Sequence, residues 1–375
     1  MVEKLPGSRD FYDRIIRCNN CGFCEAACPI FKATRRSALN ARGKMIILQD
    51  ILADRQAICD ELIETLFQCT FCSGCTTQCP AGVNVPEILR AVRKDMVNIG
   101  TCHAAFKGMD QVLDKHPNIY AAGERERFGR KVNQKAEIVF FMGCVGQYRE
   151  EDAVEAALDV MDHLRVDYTL IEEVCCSGVL EDIGFAIHDD LVRKNVALVR
   201  STGAKALVTG CPYCLRTFKH RAPYQPLRDL GLELLHISQF LTQFDFPVQT
   251  HLKVTYHDPC DLARHAGIYE APRQTIKKIA PNFVELPNRR ANSLCCGAGG
   301  GVRGAYPRNS LSMARQRLKE VEEVGADILL TECHSCVHNL SNARLRRQKF
   351  EIYTTSQFIR RLLEGQALVA ANKAP

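Results

Sequence analysis

Eighteen of the twenty cysteines in this chain of 375 residues fall into ordered arrays, so the chain must fold around whatever those thiols hold. Cys18, Cys21, Cys24 and Cys28 read C-x2-C-x2-C-x3-C, closed by Pro29. Cys69, Cys72, Cys75 and Cys79 repeat that spacing, closed by Pro80. Cys144, Cys175, Cys176, Cys211 and Cys214 form a five-cysteine set, and Cys260, Cys295, Cys296, Cys333 and Cys336 form a second. Cys59 and Cys102 are left over and read as inert buried thiols. Such dense cysteines in a reducing compartment point to metal ligation rather than disulfides.

The four-cysteine spacing is that of cubane iron–sulfur clusters. Three close cysteines cap three irons from one turn, while the fourth, before proline, ligates the other cluster in two-cluster ferredoxins. This assigns Cys18, Cys21, Cys24 and Cys79 to one [4Fe–4S] cluster, and Cys69, Cys72, Cys75 and Cys28 to the other. Zinc takes four ligands, commonly in paired C-x2-C or histidine sets, and the doubled array fits cubanes better. In the five-cysteine sets four thiolates complete a cubane, so the fifth is spare, bridging, or attached to a larger cluster.

Residues 136–375 contain an internal repeat. Ile138–Cys144 aligns with Val254–Cys260, Cys175–Gly178 with Cys295–Ala298, Leu207–Cys214 with Leu329–Cys336, and Ile237–Leu241 with Thr355–Ile359. The offsets are 116, 120, 122 and 118 residues, which marks a duplicated module. In the first copy a strand ends at Cys144, a helix covers 151–164 and a strand 168–172. The double cysteine follows, then a helix at 181–199, a strand at 205–209 and the C-x2-C turn. This β-α-β-α-β order predicts a parallel sheet with its cysteines at the carboxyl ends of the strands. Upstream, 45–67 and 85–96 read as helices.

The expected fold class is therefore α+β and multidomain. An α-helical ferredoxin-like domain at 1–100 carries two [4Fe–4S] clusters, and 101–135 is a linker. Two α/β cysteine-rich modules follow at 136–250 and 251–375, related by a pseudo-two-fold.

The whole order resembles a known family. Two ferredoxin arrays followed by C-x30-C-C-x34-C-x2-C and C-x34-C-C-x36-C-x2-C are similar to the heterodisulfide reductases, whose paired cysteine-rich domains are called CCG domains. The order also resembles the iron–sulfur subunits of glycolate, lactate and glycerol-3-phosphate dehydrogenases and of benzoyl-CoA reductase complexes. The resemblance implies that each complete five-cysteine set holds a non-cubane [4Fe–4S] cluster, with disulfide cleaved between the two. On it, Cys175, Cys176, Cys295 and Cys296 carry the catalytic role. His257 and His334, beside ligands in sequence, are candidate proton donors, because disulfide reduction consumes protons. The expected function is an electron-transfer oxidoreductase subunit that reduces a disulfide or delivers electrons to a partner. The alternatives are the iron–sulfur subunit of a flavin-linked 2-hydroxyacid or glycerol-3-phosphate dehydrogenase feeding quinone, and a redox sensor without turnover. No flavin motif is present, so a flavoprotein or another redox subunit is the expected partner.

Other signals are weaker. Gly299–Gly304 formally matches G-x-G-x-x-G but follows Cys295-Cys296-Gly297 instead of a strand, which argues against a dinucleotide site. Gly297, Gly299, Gly300 and Gly301 read instead as backbone that approaches an anionic cluster, with Arg303 beside it. A net charge of +6 is no nucleic-acid signature. The basic run Arg344, Arg346, Arg347 and Lys349 reads as a solvated helix face. Met1–Gly7 lacks the apolar core of a signal peptide, and no run approaches the ~20 apolar residues of a membrane helix. This predicts a cytoplasmic chain with no direct membrane insertion, any membrane attachment being made through a partner.

Holoprotein purified anaerobically should carry about sixteen irons, from two cubanes and two four-iron clusters. Metal analysis giving about eight irons together with zinc would remove the cysteine-rich modules from the redox chemistry.

Overall fold

The computed structural model describes residues 5, 7, 10–123 and 128–365. Most of the start read for a signal peptide, the middle of the expected linker and the last ten residues lie outside them. The chain forms two compact units. The first comprises 1–111, 179–187 and 291–317; the second comprises 112–178, 188–290 and 318–375. Residues 291–317, inside the stretch expected as the second module, thus group with the ferredoxin arrays.

The first unit is helical. The stretch 45–67 is two helices, Ala41–Leu52 and Asp60–Phe67. The break has a local cause: Asp54 adopts φ +55, and Arg55 folds back with both its backbone N–H and its guanidinium on Asp50. Asp60 and Glu61 then restart a helix with negative charge at its N-terminus. Cys59, expected to be buried, caps this helix in extended backbone and is exposed, and Cys102 is only partly buried. Val85–Asn98 forms as expected, with the Asn84 side chain accepting from Glu87 N and Pro86 in the first turn. The stretch expected as an irregular linker contains the helix Ala104–Lys115.

The second unit holds both sheets. β1 (Ile138–Phe141), β2 (Tyr168–Thr169), β3 (Ala206–Thr209) and β4 (Glu233–His236) form one sheet in the order β2-β1-β3-β4. β5 (Val254–His257), β6 (Ile328–Thr331) and β7 (Glu351–Tyr353) form the other, in the order β5-β6-β7. Every pairing is parallel. The β1-β3-β4 order recurs as β5-β6-β7, and at the place of β2 the second copy keeps a single parallel bridge, Val254 to Phe283. β5 and β6 are buried along their whole length, as strands covered on both faces are. The expected helix 181–199 is two pieces, Val179–Ile183 and Asp189–Thr202. The basic run at 344–349 is not on a helix face; it follows the helix His334–Ala343 in the turn before β7.

The sheets share one core. Phe140, Val208 and Leu235 from the first belong to the same buried cluster as Tyr256, Ile328 and Leu330 from the second. The helices Glu151–His163 and Thr355–Leu363 close it, and Arg360 of the latter bonds Asp159 and Asp152 of the former. At the end of β5, Arg273 grips Asp258 at 2.7 and 2.9 Å and Glu285 at 2.7 Å. Both Arg273 and Asp258 are 1% exposed. Among the described residues no helix is long and apolar enough to cross a membrane.

Arg273→Leu should destabilise the second unit by about 3–5 kcal/mol, because Asp258 becomes a buried charge without its partner. Denaturant unfolding measures this. Burial pushes the Asp258 carboxyl up, but the Arg273 bonds outweigh it and hold it below its ordinary value. The contribution is therefore fully present above about pH 4, the unfolded carboxylate value, and is lost as pH falls through the lower folded value.

Candidate metal centres

In the first unit the two four-cysteine arrays interleave. Cys18, Cys21 and Cys24 line one small cavity together with Cys79. Cys69, Cys72 and Cys75 line another together with Cys28. Each cavity thus takes three thiols from one array and the fourth from the other. Gln49 donates to Ile15 O and Cys18 O at 3.0 and 3.1 Å and fixes the entry to the first array. Burial pushes the Cys24 and Cys28 thiols up to about 11 and Cys75 well above its ordinary value. Thiols so disfavoured as free anions ionise when metal cations replace their protons, and four sulfurs around each cavity are the donor set of a cubane.

Two buried cations attend the second cavity. Lys44 lines it and is 1% exposed. Arg93 is fully buried over the Phe71 ring, 4.6 Å from its centroid. Its guanidinium donates to the carbonyls of Leu66, Phe67, Cys69, Asp182 and Gly300, tying three parts of the unit together. Neither residue was singled out from the sequence. Lys44 was recoverable: it falls on the 41/44/45/48 stripe that a helix buries.

In the second unit the first five-cysteine set is assembled completely. Cys144 follows β1, Cys175 and Cys176 follow β2, and Cys211 and Cys214 follow β3, all at the carboxyl edge of the sheet. Cys175 Sγ lies 4.0 Å from Cys144 Sγ, and Cys214 Sγ lies 3.5 Å from Cys176 Sγ. Their bonds push the Cys175 and Cys214 thiols up and Cys176, which accepts from both, down. Glu173, also unsuspected, organises this edge. Its buried carboxylate accepts from Met142 N, Gly143 N and Gln147 Nε2, each at 2.7 Å, and so shapes the turn into Cys144. Asn195 holds Val174 by both its N–H and its carbonyl at 3.0 Å.

The second set is divided between the units. Cys260, Cys333 and Cys336 lie in the second, at the ends of β5 and β6; Cys295 and Cys296 lie in the first. The double cysteine has the same local geometry in both copies. Ser177 N donates to Cys175 Sγ at 3.4 Å with φ +50, and Gly297 N donates to Cys295 Sγ at 3.3 Å with φ +87. Cys295 Sγ lies 3.6 Å from Thr70 Oγ1, next in sequence to Cys69. The glycine run lies against a second stretch of backbone. A Cβ on Gly299 would lie 2.3 Å from Thr70 O, and on Gly300 2.2 Å from Cys69 O, so the run is glycine because another backbone passes against it. Arg303 is half-buried on the helix Val302–Ala305.

The histidines differ. His257 is buried at the end of β5, next to the Asp258–Arg273 pair. His334 is buried against Gly146 and Gly210 of the first copy, and burial lowers its pKa to about 4.

The 4Fe–4S dicluster domain family matches residues 14–83, and the cysteine-rich domain family, CCG, matches 138–219 and 254–341. Over 363 residues the chain is 30% identical to one subunit of the dihydromethanophenazine:CoB–CoM heterodisulfide reductase of Methanosarcina barkeri, covering 87% of this chain and 88% of that one. The chain belongs to the heterodisulfide reductase family. Its relatives extend to other chemistry by name: one subunit of the CoM/CoB fumarate reductase of Methanothermobacter marburgensis is 28% identical over 85% of this chain and 66% of its own length. A hypothetical protein from Helicobacter pylori shares the fold, with a TM-score of 0.61 at 9% identity over 96% of this chain and 76% of that one.

Cys28→Ser and Cys79→Ser should each remove the cluster of the opposite array. Each variant should lose about four irons and one of two cubane EPR signals. If Cys28→Ser instead removes the signal that Cys18→Ser removes, the crossed assignment fails.

Proposed function

We propose that this chain is the iron–sulfur electron-transfer subunit of a heterodisulfide reductase-type complex, with two cubanes held by the crossed ferredoxin ligands and a non-cubane cluster at each five-cysteine set. The observation that carries the reading is the complete first set: five thiols gathered at one sheet edge, more than a cubane can use. When bound, the clusters supply one-electron chemistry. The chain's residues supply the rest. Glu173 and Asn195 fix the loops that present Cys144, Cys175 and Cys176. Thr70 sets Cys295 beside the ferredoxin array, a place for electrons to reach the second set. The electron donor is a flavoprotein or another redox subunit of the complex, which also makes any attachment to a membrane.

Reduction of a disulfide takes two electrons and two protons and gives two thiols. Cys175, Cys176, Cys295 and Cys296 are the candidate residues for it. His257 and His334 are the candidate proton donors. A second reading, delivery of electrons to a partner that performs the terminal reaction, is favoured by the fumarate reductase relative, which is similar over most of this chain under a different reaction name. The 2-hydroxyacid and glycerol-3-phosphate dehydrogenase readings are forms of that relay.

With reduced viologen and a panel of small disulfides under anaerobic conditions, the wild-type chain should turn over. Cys176→Ser and Cys295→Ser should each lose at least about tenfold of that activity, a change of ~1.4 kcal/mol in the barrier, with both cubanes still reducible. No turnover with any disulfide, alongside full electron transfer to a bound partner subunit, would leave the relay.

A further inference from the structure

Lys44 occupies a position that its helix gives to the core. Ala41, Lys44, Met45 and Leu48 are the buried residues of Ala41–Leu52, at the i, i+3, i+4, i+7 spacing of an inward face. An ammonium there is expensive unless charge answers it. Its Nζ donates to Leu39 O, and no carboxylate bridges to it among the described residues. What surrounds it is sulfur. Lys44 lines the same cavity as Cys28, Cys69, Cys72 and Cys75. Burial lowers its pKa, and the charges that oppose this come from Cys69, Cys28 and Cys75.

The other ferredoxin cavity is arranged differently. Its cation is Arg42, about a third exposed and already neutralised by Glu25 at 2.6 Å. One array therefore faces a dry cation without a carboxylate, and the other a wetted ion pair.

We infer that Lys44 is a fixed positive charge that raises the reduction potential of the cluster held by Cys28, Cys69, Cys72 and Cys75, and leaves that of the other cubane alone. The inference rests on the ligand assignment proposed above. Reduction adds one electron, drawn from the donor subunit, to a site that is already anionic. A nearby cation in a low-dielectric pocket stabilises the reduced form more than the oxidised form, whereas an exposed and paired cation is screened. Lys44 thereby makes the buried cubane, the one adjoining Thr70 and Cys295, a better electron acceptor than it would otherwise be.

The test is an anaerobic, EPR-monitored redox titration of the full-length holoprotein, with dithionite as reductant and iron and sulfide measured in every sample. The two signals are identified by which of Cys28→Ser and Cys79→Ser removes each. Lys44→Met should make reduction of the Cys28-dependent cluster at least tenfold less favourable, about 59 mV lower for one electron, with the other midpoint unmoved. Lys44→Arg should stay near wild type. Should Lys44→Met load less iron, Lys44→Gln, which keeps a donor for Leu39 O, is read in its place. Full iron with both midpoints unmoved, or both lowered equally, would overturn the role of Lys44 while leaving the clusters in place. A wild-type protein with no Cys28-dependent signal would overturn the cluster reading, and this inference with it.

Discussion

Thiols packed against one another out of water cannot all ionise unaided, and both units are built around that constraint. Desolvation and mutual repulsion push buried cysteines toward the protonated state. In the first unit Cys28 and Cys75 show this, and the fold answers with Lys44 inside the cavity and Arg93 beside it. At the cysteine-bearing edge of the second unit, backbone amides and sulfur–sulfur contacts take that part, as Ser177 N does for Cys175. Sites of this kind take a polynuclear cation, whose positive core lets several thiolates coexist.

The duplication shows what the site demands of its scaffold. Strand order, parallel pairing and the hydrogen bond behind the double cysteine recur in both copies. The surroundings do not. The first copy uses Glu173 to shape the turn before its leading cysteine, and the second uses Asp258 locked to Arg273 and to Arg290 N. Gly210 precedes the first C-x2-C, while Glu332, buried and raised to about 7 by that burial, precedes the second. Equivalent cysteines on unlike supports meet different electrostatics in the two copies. That suits a protein in which the two ends of a reaction, or of an electron path, are not equivalent.

Relatives of this chain carry more than one reaction name, so likeness along the chain does not by itself select a substrate. Selection belongs to what lies around the cysteines. His334, beside Cys333 in sequence, is packed by the fold on Gly146 and Gly210 of the first copy, and burial lowers its pKa to about 4.

Sequence alone determined the cysteine arrays, the duplicated module and the parallel β-α-β order, because cysteine spacing and apolar periodicity are local and survive without coordinates. It also placed the helix at 85–96, whose cap and proline are written in adjacent residues. The tertiary structure decided everything that depends on distant segments meeting. It set Lys44 among thiols 25 and 31 residues further along the chain. It gave Arg93 the carbonyls of Asp182 and Gly300. It put the 291–317 segment with the ferredoxin arrays and turned the glycine run against Cys69 and Thr70. A lysine in an apolar stripe and a glycine run after two cysteines are ambiguous as sequence, since their meaning lies in the partner that folding brings to them.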